Sequence, residues 1–158
     1  MVSVAFVCFV GAYDGNEWLA NWVQGRLATT GETQIQAGWL TLVYVRNRGT
    51  ADGLLNHWPT AAVALCVGLG VVLLALLASW SRESGLLFPA LGLILGGATS
   101  NVLDRIRWGY DVDVVQINHD HVTNVADIAV ALGIIFLLAA LAQLRLEKAC
   151  AGPHKQRH

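Results

Sequence analysis

The sequence predicts an all-α integral membrane protein: four transmembrane helices with a small β element outside the hydrocarbon. Three observations predict it. Hydrophobic residues make up 55% of the 158-residue chain and charged ones only 13%, against roughly 25% charged in an average soluble domain. Uncharged runs recur at the ~20-residue length a helix needs to cross a bilayer core. Between the first two spans, a β-branched and aromatic segment reads as a strand. The length suits one domain, 1–158, and the mean hydropathy of +0.52 excludes disorder. Of three cysteines, Cys8 and Cys66 lie in apolar segments and Cys150 in a polar tail, so no disulfide framework is implied. A net charge of −1 supplies no field for gripping a phosphate backbone, and nucleic acid is not an expected partner.

The first span covers about 2–22. Val2 to Tyr13 is apolar but short, and reaches spanning length by continuing past Asp14 and Glu17 into Trp18-Leu19-Ala20-Asn21-Trp22, whose aromatics suit a membrane interface. No Lys or Arg precedes the run and no small-x-small site follows it before Asp14, so a retained helix is expected rather than a cleaved leader. The polar stretch 28–59 contains the strand-like Trp39-Leu40-Thr41-Leu42-Val43-Tyr44-Val45. Spans two and three, 60–81 and 84–104, are uncharged up to Asp104 and separated only by Arg82-Glu83, which predicts a tight antiparallel hairpin. A polar loop, 105–123, leads to the fourth span, 125–144, with Asp127 near its head. The polar tail 145–158 carries basic residues suited to anionic headgroups. Four spans put both termini on one side. The ten Lys and Arg divide evenly between the two sides, whereas of eleven acids only Glu83 and Glu147 fall on the terminal side.

Asp104 closes the third span and Asp127 opens the fourth, so both carboxylates fall at one membrane face on neighbouring helices. Ionisable groups at membrane depth point to function. Structural readings stand beside that one. Asn124 and Asp127 have the spacing of a capping box, and Asp104, which opposes the helix dipole, has Arg105 and Arg107 beside it as compensation. Gly97, Asn101, Asp104 and Arg105 share one helix face, a polar lining, while Gly92 and Gly96 form a GxxxG pair suited to helix packing. His119-Asp120-His121 with His57 would make a metal cluster only on a fixed scaffold, and reads as solvated loop. The six tryptophans mostly flank spans as interfacial anchors.

The segment Gly96-Gly97-Ala98-Thr99-Ser100-Asn101-Val102-Leu103-Asp104-Arg105 is followed by Gly109-Tyr110-Asp111-Val112-Asp113 and by Thr123-Asn124-Val125-Ala126-Asp127. In that order they resemble the GGAxGNxxDR, GYVVD and FNxAD motifs of the lipoprotein signal peptidase, or signal peptidase II, family. Leu42-Val43-Tyr44-Val45-Arg46-Asn47-Arg48-Gly49 is similar to that family's NLVYVRNxGAAF block, and the resemblance runs from about Leu40 to Leu144. It implies a membrane aspartic endopeptidase of the bacterial inner membrane, with its site at the extracytoplasmic face. Such an enzyme removes the signal peptide from prolipoproteins ahead of a diacylglyceryl-modified cysteine. By position it implies Asp104 and Asp127 as the catalytic pair, with Asn47, Gly97, Asn101, Arg105, Asn124 and Ala126 lining and supporting the site. The strand-like segment becomes a small extracytoplasmic β element over the cleft. The chain departs from the family where Asp14-Gly15-Asn16-Glu17-Trp18 stands for a DxxTK-like motif, lacking the hydroxyl and the lysine. Asp52 replaces a Phe, Ser100 a Gly and Thr123 a Phe, and Gln116 stands near a usual Asp.

Two carboxylates close enough to share a proton cannot easily both ionise, which divides acid and base roles between them. The ionised one takes a proton from an attacking water and the protonated one hydrogen-bonds the scissile carbonyl. No metal or other cofactor is called for. The expected partners are lipid-modified prolipoproteins and membrane lipids, with no obligate protein partner. The alternatives are a small four-span transporter or assembly factor, suggested by the crowding of acids on one face, and a catalytically weakened relative, suggested by the first-helix departures.

Overall fold

The computed structural model describes residues 2–30, 34–37, 39–47, 68, 70, 72, 85–117 and 121–151. In chain order these form helix α1 (Val2–Thr30), strands β1 (Gln34–Ala37) and β2 (Leu40–Asn47), helix α2 (Leu87–Trp108), strands β3 (Asp111–Ile117) and β4 (His121–Thr123), and helix α3 (Val125–Ala151). The sequence predicts four helices. Three are described along their length, and two of these, α2 and the Val125–Glu147 part of α3, are long and apolar enough to cross a membrane. The predicted span 60–81 lies outside the described residues except for Gly68, Gly70 and Val72, which are helical. His57, His119 and Asp120 also lie outside them.

Small residues set the helix packing. A Cβ on Gly92 would collide with the Ala5 carbonyl and Cys8, and one on Gly96 with the backbone of Phe9 and with Ala12. The GxxxG pair therefore brings α2 against α1 in parallel. On the other side of α2, Gly97 abuts the Ala126 carbonyl and Gly133 of α3 abuts Ala90 and Ile94, so α3 runs antiparallel to α2. Leu87 and Leu91 close that contact with Ala140. Outward-facing positions such as Phe6, Val7, Ile135 and Leu138 are exposed and apolar, the pattern expected of helices whose outer solvent is lipid.

α1 extends well past the predicted end at Trp22. At about 1.5 Å per residue, its 29 residues exceed the ~30 Å bilayer core, and the extra turns carry the sheet. Val23, fully buried, belongs to one apolar cluster with Val112, Val114 and Val115, joined by Ala20 and Leu27. Burying one such side chain stabilises by about 1.5–3 kcal/mol.

The sheet is antiparallel with order β1-β2-β3-β4, larger than the single strand read at Trp39 to Val45. The polar loop predicted over 105–123 is instead the end of α2 followed by β3 and β4. Gly109, at φ 75°, takes the left-handed conformation that ends α2, its N–H bonding the Arg105 carbonyl. A register irregularity between Leu42 and Val45 of β2 then aligns Val45 with Asp113 and Asn47 with Asp111. At the opposite end of the chain, α3 continues as helix to Ala151, through much of what the sequence presents as a polar tail.

Candidate active site

β3 carries two chemistries on its two faces. Strand side chains alternate, so Val112 and Val114 meet Val23 on α1, while Asp111 and Asp113 turn the other way. Both acids are buried, at 1% and 3% exposure. Burial of carboxylates requires partners, and each has them. Arg105 Nη2 lies 3.3 Å from Asp111 Oδ2, and the Val112 N–H donates to Asp111 Oδ1 at 3.0 Å. Asn47 Nδ2 donates to Asp113 Oδ2 at 2.8 Å, and Asn124 Nδ2 donates to Asp113 Oδ1 at 3.2 Å.

From Asp113 a chain of amides leads to Asp127. Asn124 Nδ2 also donates to Asn101 Oδ1 at 3.3 Å, and Asn101 Nδ2 donates to Asp127 Oδ1 at 2.6 Å. The orientation of each amide is fixed by the next, because Asn124 Oδ1 accepts the Asp127 N–H at 2.7 Å. That bond is the N-cap expected from the spacing of Asn124 and Asp127, and it satisfies one of the donors left open at a helix start. Asn124 is fully buried, whereas Asp127 is exposed. One carboxylate of the network is thus held inside and the other opens outward.

Burial pushes the Asp113 carboxyl above the usual carboxylate range. Hydrogen bonds from Asn47 and Asn124 pull it back, and the nearby charge of Asp127 pushes it further up. Asp111 is pushed up to about 6, chiefly by burial, with the Arg105 guanidinium opposing and Asp127 and Asp113 reinforcing. The Asp127 carboxylate thus adds its charge to the surroundings of Asp113.

The structure gathers most of the residues singled out from the sequence. Asn101, Asn124 and Asp127 are bonded to one another, Asn47 joins through Asp113, and Arg105 joins through Asp111 and through its Nη1, 3.5 Å from the Asn101 carbonyl. Gly97 and Ala126 meet backbone to backbone beneath them. Asp104 stands apart. It is buried and lines a cleft of about 340 Å³ together with Glu17, Tyr44, Arg46 and Tyr110. Its charged neighbours are Glu17, Asp111 and Arg107. In that cleft the Arg46 guanidinium lies 5.2 Å from the centre of the Tyr110 ring, a cation–π distance.

Sequence reasoning assigns no role to Asp111, Asp113 or Asn16. The signal for Asp113 is present, since it ends the segment matched to GYVVD, and the alternation Asp-Val-Asp-Val is itself a strand period. Asn16 lies in the stretch that departs from the family motif, yet it is 1% exposed and bonds to both α2 and α3.

A family model described as signal peptidase (SPase) II matches residues 8–143. A lipoprotein signal peptidase of Caldanaerobacter subterraneus is 34% identical over 138 residues, covering 87% of this chain and 91% of that protein. Another from Nitratidesulfovibrio vulgaris is 33% identical over 135 residues, covering 80% of each. Among solved structures, a bacterial membrane enzyme superposes with a TM-score of 0.73 at 20% identity, over 99% of this chain and 95% of that one.

Proposed function

Because the chain belongs to the signal peptidase II family, we propose that it removes signal peptides from bacterial prolipoproteins by an aspartic mechanism in which Asp127 and Asp113 form the working pair. The observation that carries the mechanism is the amide chain joining the two carboxylates: Asp113 bonded to Asn124, Asn124 to Asn101, and Asn101 to Asp127. Asp104, the partner expected from the sequence, belongs to the cleft with Glu17 and is the competing assignment.

The chemistry follows from the two environments. In the proposed mechanism one carboxyl of the pair carries the proton and the other is ionised. The ionised member takes a proton from water as the water attacks the scissile carbonyl. The protonated member donates to the carbonyl oxygen, and the amine leaves with a proton returned from the pair. Which carboxyl holds the proton is a property of the pair. Asn47 and Asn124 keep Asp113 in one rotamer, and Asn101 does the same for Asp127, so little reorganisation is needed in the transition state.

Helix polarity supports a membrane orientation. α1 and α2 run toward the sheet and α3 runs away from it, which puts the sheet, Asp113 and Asp127 together at one end. The reading places that end at the extracytoplasmic face of the inner membrane. There the junction between a signal helix and its lipid-modified cysteine lies at headgroup depth, and Trp18 and Trp22, stacked with ring centres 6.3 Å apart, flank it as interfacial anchors. Membrane lipid is the surrounding partner and no obligate protein partner is proposed.

The test is expression in a host depleted of its own enzyme. Diacylglyceryl prolipoprotein should be shortened to the form beginning at the lipidated cysteine. Accumulation of the uncleaved precursor beside a correctly inserted protein would contradict the reading.

A further inference from the structure

We infer that Asn16 is a positioning residue for Asp127, holding the start of α3 from behind through a three-helix clamp with Ser100 and Ala126. The inference rests on the peptidase reading above.

Helix α3 opens with N–H groups that have no partner within the helix. Its first intrahelical bond runs from Ile128 N to the Asn124 carbonyl. The Asp127 N–H is taken by Asn124 Oδ1. The N–H of Ala126, a residue with no exposed surface, is taken from outside the helix by Asn16 Oδ1 at 3.3 Å. Asn16 Nδ2 then donates to Ser100 Oγ at 3.0 Å. Because a backbone N–H can only donate, the oxygen of Asn16 must face Ala126 and its amide nitrogen must face Ser100.

The two residues that Asn16 holds each precede a residue contacting or bearing the Asp127 carboxylate. Ala126 precedes Asp127, and Ser100 precedes Asn101, whose Nδ2 reaches Asp127 Oδ1 at 2.6 Å. One side chain from α1 therefore fixes the relative height of the Asp127 backbone and of the amide that orients its side chain. Gly97 lets the helices approach closely enough for this, since a Cβ there would strike the Ala126 carbonyl. Ser100 is one of the places where the chain departs from the motifs it resembles, and Asn16, which directly precedes the first-helix departures Glu17 and Trp18, is the residue that meets it.

A clamp that positions without touching substrate acts on turnover more than on binding, because small misplacements of a reacting group reduce rate steeply. The experiment is steady-state cleavage of diacylglyceryl prolipoprotein by purified, correctly inserted variants. Asn16→Leu, close in shape but without either hydrogen bond, should lower kcat by about 10- to 100-fold and leave KM within about twofold. Asn16→Asp keeps an acceptor for the Ala126 N–H and lets the Ser100 hydroxyl donate, so despite the cost of its buried charge it should lose less kcat than Asn16→Leu. Ser100→Ala should lower kcat less than Asn16→Leu, and the double variant should be no slower than Asn16→Leu alone, as expected for residues acting through one contact. Unchanged kcat in Asn16→Leu, or equal losses in Asn16→Leu and Asn16→Asp, would overturn the inference. So would additive effects of Asn16→Leu and Ser100→Ala. Failure of the peptidase reading is distinguishable, because the wild-type protein would then leave the precursor uncut, and the inference would fall with it.

Discussion

The Asn101 amide donates to the Asp127 carboxylate at 2.6 Å, across the packed interface between α2 and α3. It converts an exposed acid at a helix start into one with a fixed direction. Hydrogen bonds to charged groups contribute roughly 1.5–3 kcal/mol. Asn101→Ala should therefore slow prolipoprotein cleavage by about one to two orders of magnitude. Single-turnover kinetics check this, and wild-type rates would reduce Asn101 to a packing residue.

Gly97 makes the approach of those helices possible. Adding a methyl group there forces the α3 start away from α2, and overpacking of this kind destabilises by about 1–3 kcal/mol. Gly97→Ala should lower both the thermal midpoint and the cleavage rate. Gly85→Ala, where an added Cβ meets nothing within 4 Å, should change neither. Comparing the two variants in one detergent checks the contrast.

Asp111 predicts a pH dependence of stability. Its carboxyl is held up to about 6 in the folded protein, against about 3.9 in an unfolded chain. Between those values the folded state binds more protons, so stability falls as pH rises through this window. Its contribution is fully present below about pH 4 and lost above about pH 6. Relative to Asp111→Asn, the wild type should lose on the order of 2–3 kcal/mol between pH 4 and 7. Thermal melts across that range measure the difference, and parallel curves would contradict the assignment.

The orientation proposed for the bundle is accessible to labelling. An impermeant thiol reagent applied outside should modify a cysteine introduced at position 121, in β4, and spare Cys150. Modification of Cys150 with protection of position 121 would place the site on the other face.

What the sequence makes legible follows from which forces write themselves into local pattern. The apolar runs at 84–104 and 125–144 correspond closely to α2 and the first part of α3, because bilayer thickness imposes a length that composition alone reveals. The GxxxG pair at Gly92 and Gly96 likewise announces a close helix contact. β3 is less visible. Its Asp-Val-Asp-Val alternation has the strand period, but Arg105, Arg107, Asp111 and Asp113 make the stretch polar in composition, so it reads as a polar loop. For the same reason Asp113 is overshadowed by Asp104, which stands out by closing an apolar run. Only the fold shows that one turn and a strand bring Asp113 to Asn47 and Asn124, while Asp104 lines the cleft with Glu17. Asn16 is hidden differently, since its partners are 84 and 110 residues away.

Cleavage of diacylglyceryl prolipoprotein by purified Asp113→Asn, Asp127→Asn and Asp104→Asn variants, each checked for correct insertion, tests the central claim most directly. Sharing a proton makes both members of the pair indispensable, so Asp113→Asn and Asp127→Asn should each be nearly as inactive as the double variant. A cap contributes only about 0.5–2 kcal/mol, and Asn at position 127 keeps the backbone N–H that Asn124 accepts, so loss of capping does not account for such inactivity. Asp104→Asn should retain measurable turnover. Substantial turnover by Asp113→Asn together with an inactive Asp104→Asn would return the second catalytic role to Asp104, and turnover by Asp127→Asn would contradict the aspartic mechanism itself.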